Sequence, residues 1–261
     1  MGIFKTIFKH KALLLIFFSA LVLALIWFIK PQSSQISSQD TNAIIVGVSA
    51  DFPPFTFFDK DQIVGFEIDL VMEIGRRLGR HIEIKNMPFS TLLPTLQLGQ
   101  LQLIAGGLTA TPERAKHVLF TKPYVQDNPL VIVSLANHPV QDLAGLKNQE
   151  VIVNEGYTSD LYLSKIDEIA LKRLKTPAEA FLALKSGRAI AFVTAKDTVR
   201  PFFDQSSAQD FYLVDLAGTN ESASLAVSPQ YPALLREMQV ALDDLEQDGT
   251  LNQLKTKWHL S

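Results

Sequence analysis

The sequence predicts an α/β fold in two lobes, preceded by an apolar N-terminal helix. Three observations predict it. Strand-like runs alternate with amphipathic helical runs from residue 43 onward, the alternation occurs once up to residue 107 and again from residue 129, and the first thirty residues depart from it in composition. Alternation of this kind points to helices packed on a mostly parallel sheet. The length after residue 43 fits either one large domain or two lobes of about 100 residues each, and the repeated alternation makes two α/β units the simplest account.

At the start, Lys5, Lys9 and Lys11 precede "ALLLIFFSALVLALIWFI", residues 12–29, a run without a charge. As a helix it reaches about 27 Å, against a bilayer core of about 30 Å. The flanking lysines put the N-terminus on the cytoplasmic side. Trp27, Phe28, Ile29 and Lys30 leave no small-residue cleavage site behind the run, so residues 1–30 read as a signal peptide or a membrane anchor, with the uncleaved anchor favoured. Residues 31–43 are rich in Ser and Gln without apolar periodicity and read as a flexible linker.

The elements then follow in order. "AIIVGVS" (43–49) is strand-like, and "FEIDLVMEIGRRLG" (66–79) is helical, with Ile68, Val71, Met72, Ile74 and Leu78 on its apolar face. "HIEIK" (81–85) is a strand, "STLLPTLQLG" (90–99) a helix and "LQLIAGG" (101–107) a strand, with Gly79 and Gly99 placed as helix stops. The second round comprises strands at 129–134, 150–154, 189–194 and 211–216 and helices at 177–187 and 231–249. No fixed-period repeat is present, which argues against a solenoid.

Composition narrows the function classes. A net charge of -3 with no basic excess argues against a nucleic-acid partner. The absence of cysteine removes disulfides, thiolate metal sites and cysteine nucleophiles. Motifs for zinc proteases, phosphate-binding loops, dinucleotide folds and serine hydrolases are missing, and His10, His81, His117, His138 and His259 are too scattered for a metal site. No cofactor and no metal are implied.

One stretch carries more chemistry. In "GGLTATPERAKHVLFTKPY" (106–124), Thr111 and Pro112 form an N-cap and first-turn pair, yet Arg114 follows inside the first turn. The helix dipole disfavours a cation there by roughly 0.3 to 1 kcal/mol. Two readings fit these residues: a solvent-facing arginine behind a glycine turn, or an arginine fork holding a carboxylate above a glycine loop that admits close approach. A second strand-to-glycine junction, "VIVNEGYTSDLYL" (151–163), puts Thr158 or Ser159 in capping position, and "SADFPPF" (49–55) sets Phe52 and Phe55 beside a Pro-Pro turn. At the C-terminal edge of a parallel sheet such aromatics fill a core or wall a ligand cleft.

Together with "DFPPFTFFDKDQIVGFEIDLVMEIGRRLG" and the terminal "LEQDGTLNQLKTKWHLS", these stretches resemble the solute-binding proteins of amino-acid ABC transporters, the polar amino-acid branch of the type II periplasmic binding protein fold. The resemblance runs from about Ile44 to Leu260. It implies two lobes joined by two crossing strands and closing on an amino acid, with residues 43–128 plus 222–261 as lobe one and 129–221 as lobe two. It further implies that Arg114 pairs with the ligand α-carboxylate, assisted by Thr109 and the backbone of Thr158. Phe52 would stack on the ligand side chain, Phe89 would line the cleft, and the Gly107 carbonyl would accept from the ligand ammonium. Glu155 and Ser49 would border the side-chain pocket.

Three positions depart from the family pattern: Gln102, Ile190 and Ala195 stand where it usually has Asp. Ala195 matters most, because the acid expected there holds the ammonium; Asp197 and Glu155 are the candidate substitutes. Glu155, Asp51 and Asp160 would bring negative charge to the cleft mouth, favouring a polar or basic amino acid such as arginine. The resemblance thus implies an extracytoplasmic binder, not a catalyst, monomeric and partnered by an ABC permease in the inner membrane; the apolar run at residues 12–29 is the candidate tie to the membrane if it is not cleaved. A cyclohexadienyl dehydratase-like enzyme on the same fold and a ligand-sensing receptor domain are the alternatives.

Overall fold

The structure is a computed structural model that describes residues 42–205 and 208–260. The apolar segment and linker expected before residue 42 lie outside the described residues. Among the described residues, no helix is long and apolar enough to cross a membrane.

The chain opens with β1 (Ala43–Val48) and a small meander of β2 (Asp51–Phe52), β3 (Thr56–Asp59) and β4 (Gln62–Val64). Next come α1 (Phe66–Leu78), β5 (His81–Asn86), α2 (Phe89–Gln97), β6 (Leu103–Leu108), the single turn α3 (Pro112–Ala115), β7 (Leu119–Phe120) and β8 (Val125–Asn128). A second group follows: β9 (Leu130–Leu135), β10 (Glu150–Asn154), α4 (Thr158–Leu163), β11 (Ala170–Leu174), α5 (Pro177–Lys185), β12 (Ala191–Ala195), α6 (Lys196–Gln205) and β13 (Phe211–Asp215). The chain then returns through β14 (Glu221–Val227) to α7 (Pro232–Gln247) and α8 (Thr250–Lys257).

Two sheets organise these elements, one ordered β5-β1-β6-β14-β7 with β8 also on β14, the other β11-β10-β12-β9-β13. Each keeps three parallel strands and adds antiparallel ones, so the expectation of mostly parallel sheets is corrected to mixed sheets. The antiparallel members β9 and β14 are the strands that follow the two crossings between sheets. Glu221 pairs with Asn128, so the two crossings lie side by side.

Period-two alternation explains why both faces of each sheet are buried. Ile44, Val46 and Val48 of β1 join one apolar cluster while Ile45 packs on the other. In β10, Val151 and Val153 face one cluster and Ile152 the opposite one. Unbroken apolar runs of this kind belong to sheets covered on both sides, and each fully buried aliphatic contributes about 1.5 to 3 kcal/mol.

Helix α1 ends at Gly79, whose left-handed φ of 63° lets its N–H reach back to Arg76. Its apolar face differs from the expected one: Leu70 is fully buried and Met72 is half exposed. The reason is that α1 packs against α7 and α8 as well as the sheet, which turns the buried stripe toward Leu70. Gln102 is structural, since its side-chain carbonyl accepts from Ile45 N–H at 2.9 Å.

Candidate functional site

The cation that looked misplaced in the sequence sits in a turn of four residues, too short to build a substantial dipole. Thr111 caps that turn by accepting from Arg114 N–H at 3.2 Å. The side chain of Arg114 then runs inward and is 6% exposed. Its Nη1 donates to Thr109 O at 3.0 Å, and its Nη2 donates to Gly156 O, in the loop between β10 and α4, at 2.9 Å. Arg114 thus ties the first sheet's layer to the second's. Burial pulls its pKa below the usual guanidinium value, opposed by the negative charge of Glu221.

Glu221 begins β14, where the chain has just crossed back. Its Oε2 accepts from Thr109 Oγ1 at 2.8 Å and also from Thr158 Oγ1. One carboxylate is therefore gripped by a threonine from each sheet's layer. Arg114 and Glu221 line the same cavity with Phe52, Phe89, Gly107 and Tyr157, and its free volume is about 30 Å³. That is room for about two water-sized groups.

Three hydroxyls on residues lining this cavity, Tyr157 OH, Ser159 Oγ and Thr198 Oγ1, are buried without a hydrogen-bond partner among the described residues. An unpaired buried polar group costs about 1 to 3 kcal/mol. A polar ligand seated there would relieve that cost.

The aromatic wall is built around Phe52. It stacks on Phe55 with centroids 5.0 Å apart, and Tyr157 meets it edge-on at 6.0 Å. Phe89 lies 4.4 Å from the Tyr157 ring and carries the Arg114 guanidinium over its face at 5.9 Å.

Gly107 needs to be glycine for two reasons: its φ is 61°, and an added Cβ would fall 2.4 Å from Phe52 Cε1. Gly107→Ala is expected to cost about 1 to 2 kcal/mol from the left-handed backbone alone, plus displacement of the Phe52 ring. Urea unfolding measures the first effect and ligand titration the second.

Beneath Gly107 lies Glu67, fully buried on α1. Its two oxygens accept from Gly107 N–H at 2.9 Å each, and Tyr124 OH donates to Oε1. Burial, outweighing those hydrogen bonds, pushes its carboxyl from 4.5 up to about 7. With the folded value raised, the stability that Glu67 contributes is full below about pH 4.5 and is lost as pH rises through about 7, amounting to about 3 kcal/mol. Glu67→Gln removes this titration. Urea unfolding at about pH 5 and about pH 8 should show a smaller pH difference in the variant than in the wild type.

The remaining expected site residues are placed as follows. Thr109 and Thr158 hold Glu221, and Phe52, Phe89, Gly107, Arg114 and Thr158 line the cavity. Ser49 and Glu155 do not line it. Ser49 is buried and donates to Asp51 at 2.8 Å, within a separate groove shared with Asn86 and Thr176. Glu155 is exposed, its backbone N–H engaged by Leu174 O, because it sits past the end of β10 on the outward side of the turn.

Ala195 lines the cavity and contributes no charge, while Asp197 faces Arg200 at 3.7 Å and is not part of the lining. Asp160 is committed to Gly156 N–H and Arg173, so it adds no free negative charge to the mouth. Neither Thr158 nor Ser159 caps α4. Tyr157 occupies the N-cap position and Thr158 Oγ1 turns to Glu221 instead. Glu221, Tyr157 and Thr198 are cavity residues that sequence reasoning missed.

Comparison with known proteins places this geometry. The family model for bacterial extracellular solute-binding proteins, family 3, matches residues 44–261. The chain is 28% identical over 225 residues to the arginine-binding extracellular protein ArtP of Bacillus subtilis (strain 168), spanning 85% of this chain and 88% of that protein. Among solved structures, an ancestral arginine-binding protein bound to arginine superposes with a TM-score of 0.78 at 33% identity, covering 83% of this chain and 98% of the other. The ancestral amino acid-binding protein AncCDT-1, a precursor of cyclohexadienyl dehydratase, superposes at 0.75 with 30% identity, covering 83% and 95%. The two-lobed α/β architecture is common to these proteins, and the chain belongs to the bacterial extracellular solute-binding proteins, family 3.

Proposed function

We propose that the protein is the extracytoplasmic solute-binding component of an ABC importer and that it holds an α-amino acid between its two lobes. The lobes correspond to residues 43–128 plus 222–261 and to 129–221. The observation that carries this reading is a cavity with one buried cation, Arg114, and one carboxylate, Glu221, at its edges and three unpartnered hydroxyls in its lining. A zwitterion has the complementary pattern. The ligand α-carboxylate replaces backbone carbonyls on Arg114, forming the stronger charge-assisted fork, and its ammonium lies against Glu221, which takes the part of the acid missing at Ala195.

Relatives named for arginine binding support the amino-acid class and favour a polar or basic side chain. They are named as binding proteins, which supports a binder and not a catalyst, and Phe52, Phe89, Gly107, Thr109 and Thr158 complete the proposed site. Closure follows from contacts made to both lobes, so the ligand shifts the population toward the closed state. The permease at the inner membrane is the partner, the protein acts as a monomer, and residues 12–29 keep it at the extracytoplasmic face.

Calorimetric titration tests the pairing. For any L-amino acid that binds, the amine lacking the carboxylate and the acid lacking the amino group should each bind about 30-fold weaker or worse, the cost of leaving one buried charge unpaired. Analogues binding as tightly as the parent amino acid would contradict it.

A further inference from the structure

The slot between Phe52 and Phe89, where a ligand side chain would stack, is already filled. Tyr157 reaches it from the other lobe: its ring meets Phe52 edge-on and lies 4.4 Å from Phe89. The ring is 8% exposed and belongs to the same apolar cluster as Val48, Phe52 and Phe55 of the first lobe. Its backbone is fixed, with N–H donating to Asn154 O and O accepting from Leu161 N–H. Its hydroxyl is not, having no hydrogen-bond partner among the described residues. The ring is held by packing, and its displacement breaks no side-chain hydrogen bond among the described residues. With the ring in place, about 30 Å³ remains, room for about two water-sized groups and far too little for a long side chain.

We propose that Tyr157 sets the side-chain length the site accepts: its ring occupies the slot between Phe52 and Phe89, and a long side chain enters only by evicting it. The inference rests on the amino-acid reading above. A short ligand such as alanine has no side chain to place in that slot, while a long one such as arginine must separate Tyr157 from both phenylalanines before it gains its own partners.

The test is titration of L-arginine and L-alanine into the wild type, Tyr157→Ser, Tyr157→Leu and Tyr157→Phe, with circular dichroism to confirm folding. Each aromatic pairing that eviction breaks is worth up to about tenfold in affinity, so arginine should tighten by about tenfold or more in the Ser variant relative to alanine. The Leu variant keeps more of the cluster filled and should shift the same way if the Ser variant does not fold. Tyr157→Phe retains the ring and should keep the wild-type discrimination. Arginine binding that is unchanged or weaker in the Ser and Leu variants, with at least one amino acid still bound, overturns the role of Tyr157 alone. Failure of every protein, wild type included, to bind either amino acid overturns this inference, and the amino-acid reading falls with it only if none of the other eighteen binds the wild type.

Discussion

Replacing Arg114 by alanine is expected to weaken amino-acid binding by about two to four orders of magnitude, because removing one partner of a buried charge pair costs about 3 to 5 kcal/mol. The guanidinium is buried and bonded only to the carbonyls of Thr109 and Gly156 among the described residues. Those carbonyls regain water when the cleft opens, so the unliganded melting temperature should change little. Arg114→Lys should recover only part of the affinity, since an ammonium keeps the charge but cannot make two parallel hydrogen bonds. Calorimetry on the three proteins decides the matter. A variant that melts much lower but binds normally would make Arg114 a structural strut between lobes.

The second large effect is expected at Glu221. Glu221→Gln keeps an oxygen for the hydroxyls of Thr109 and Thr158 yet removes the negative charge, so a bound ammonium loses its partner. Affinity should fall by about 2 to 5 kcal/mol. The des-amino analogue, which has no ammonium to lose, should be nearly indifferent to the substitution. If the parent amino acid and its des-amino analogue weaken equally, Glu221 acts through the threonines and another acid takes the ammonium.

Much of the fold is legible in the sequence because its strands and helices carry strong periodicity. The run "EVIVN" is strand β10 from Glu150 to Asn154, and Gly79 stops α1 through its positive φ. What is not legible is what depends on contacts between distant segments. Met72 looks apolar-facing by spacing, yet it is exposed because α7 and α8 cover a different stripe of α1. Strand β14 escaped notice because "ESASLAV" opens with polar residues, and its pairing comes from β6, more than a hundred residues earlier.

The candidate site divides the same way. Arg114 stands out through an unfavourable local position, and Phe52 through its place beside a turn at a strand end. Glu221 carries no such local sign, since only its position at the second crossing brings it to the cleft. Tyr157 reads as an ordinary residue between a glycine and a helix start until the opposite lobe's aromatics are seen around it.

The central claim, that this cleft closes on an amino acid, is tested most directly by a thermal-shift screen of the protein against the twenty amino acids. Ligand at 100 times its dissociation constant adds about 2.7 kcal/mol, which for a protein of this size raises the melting temperature by roughly 5 to 11 °C. The account predicts such a rise for at least one amino acid and its loss in Arg114→Ala. No rise with any of the twenty, or an equal rise in the variant, would contradict it.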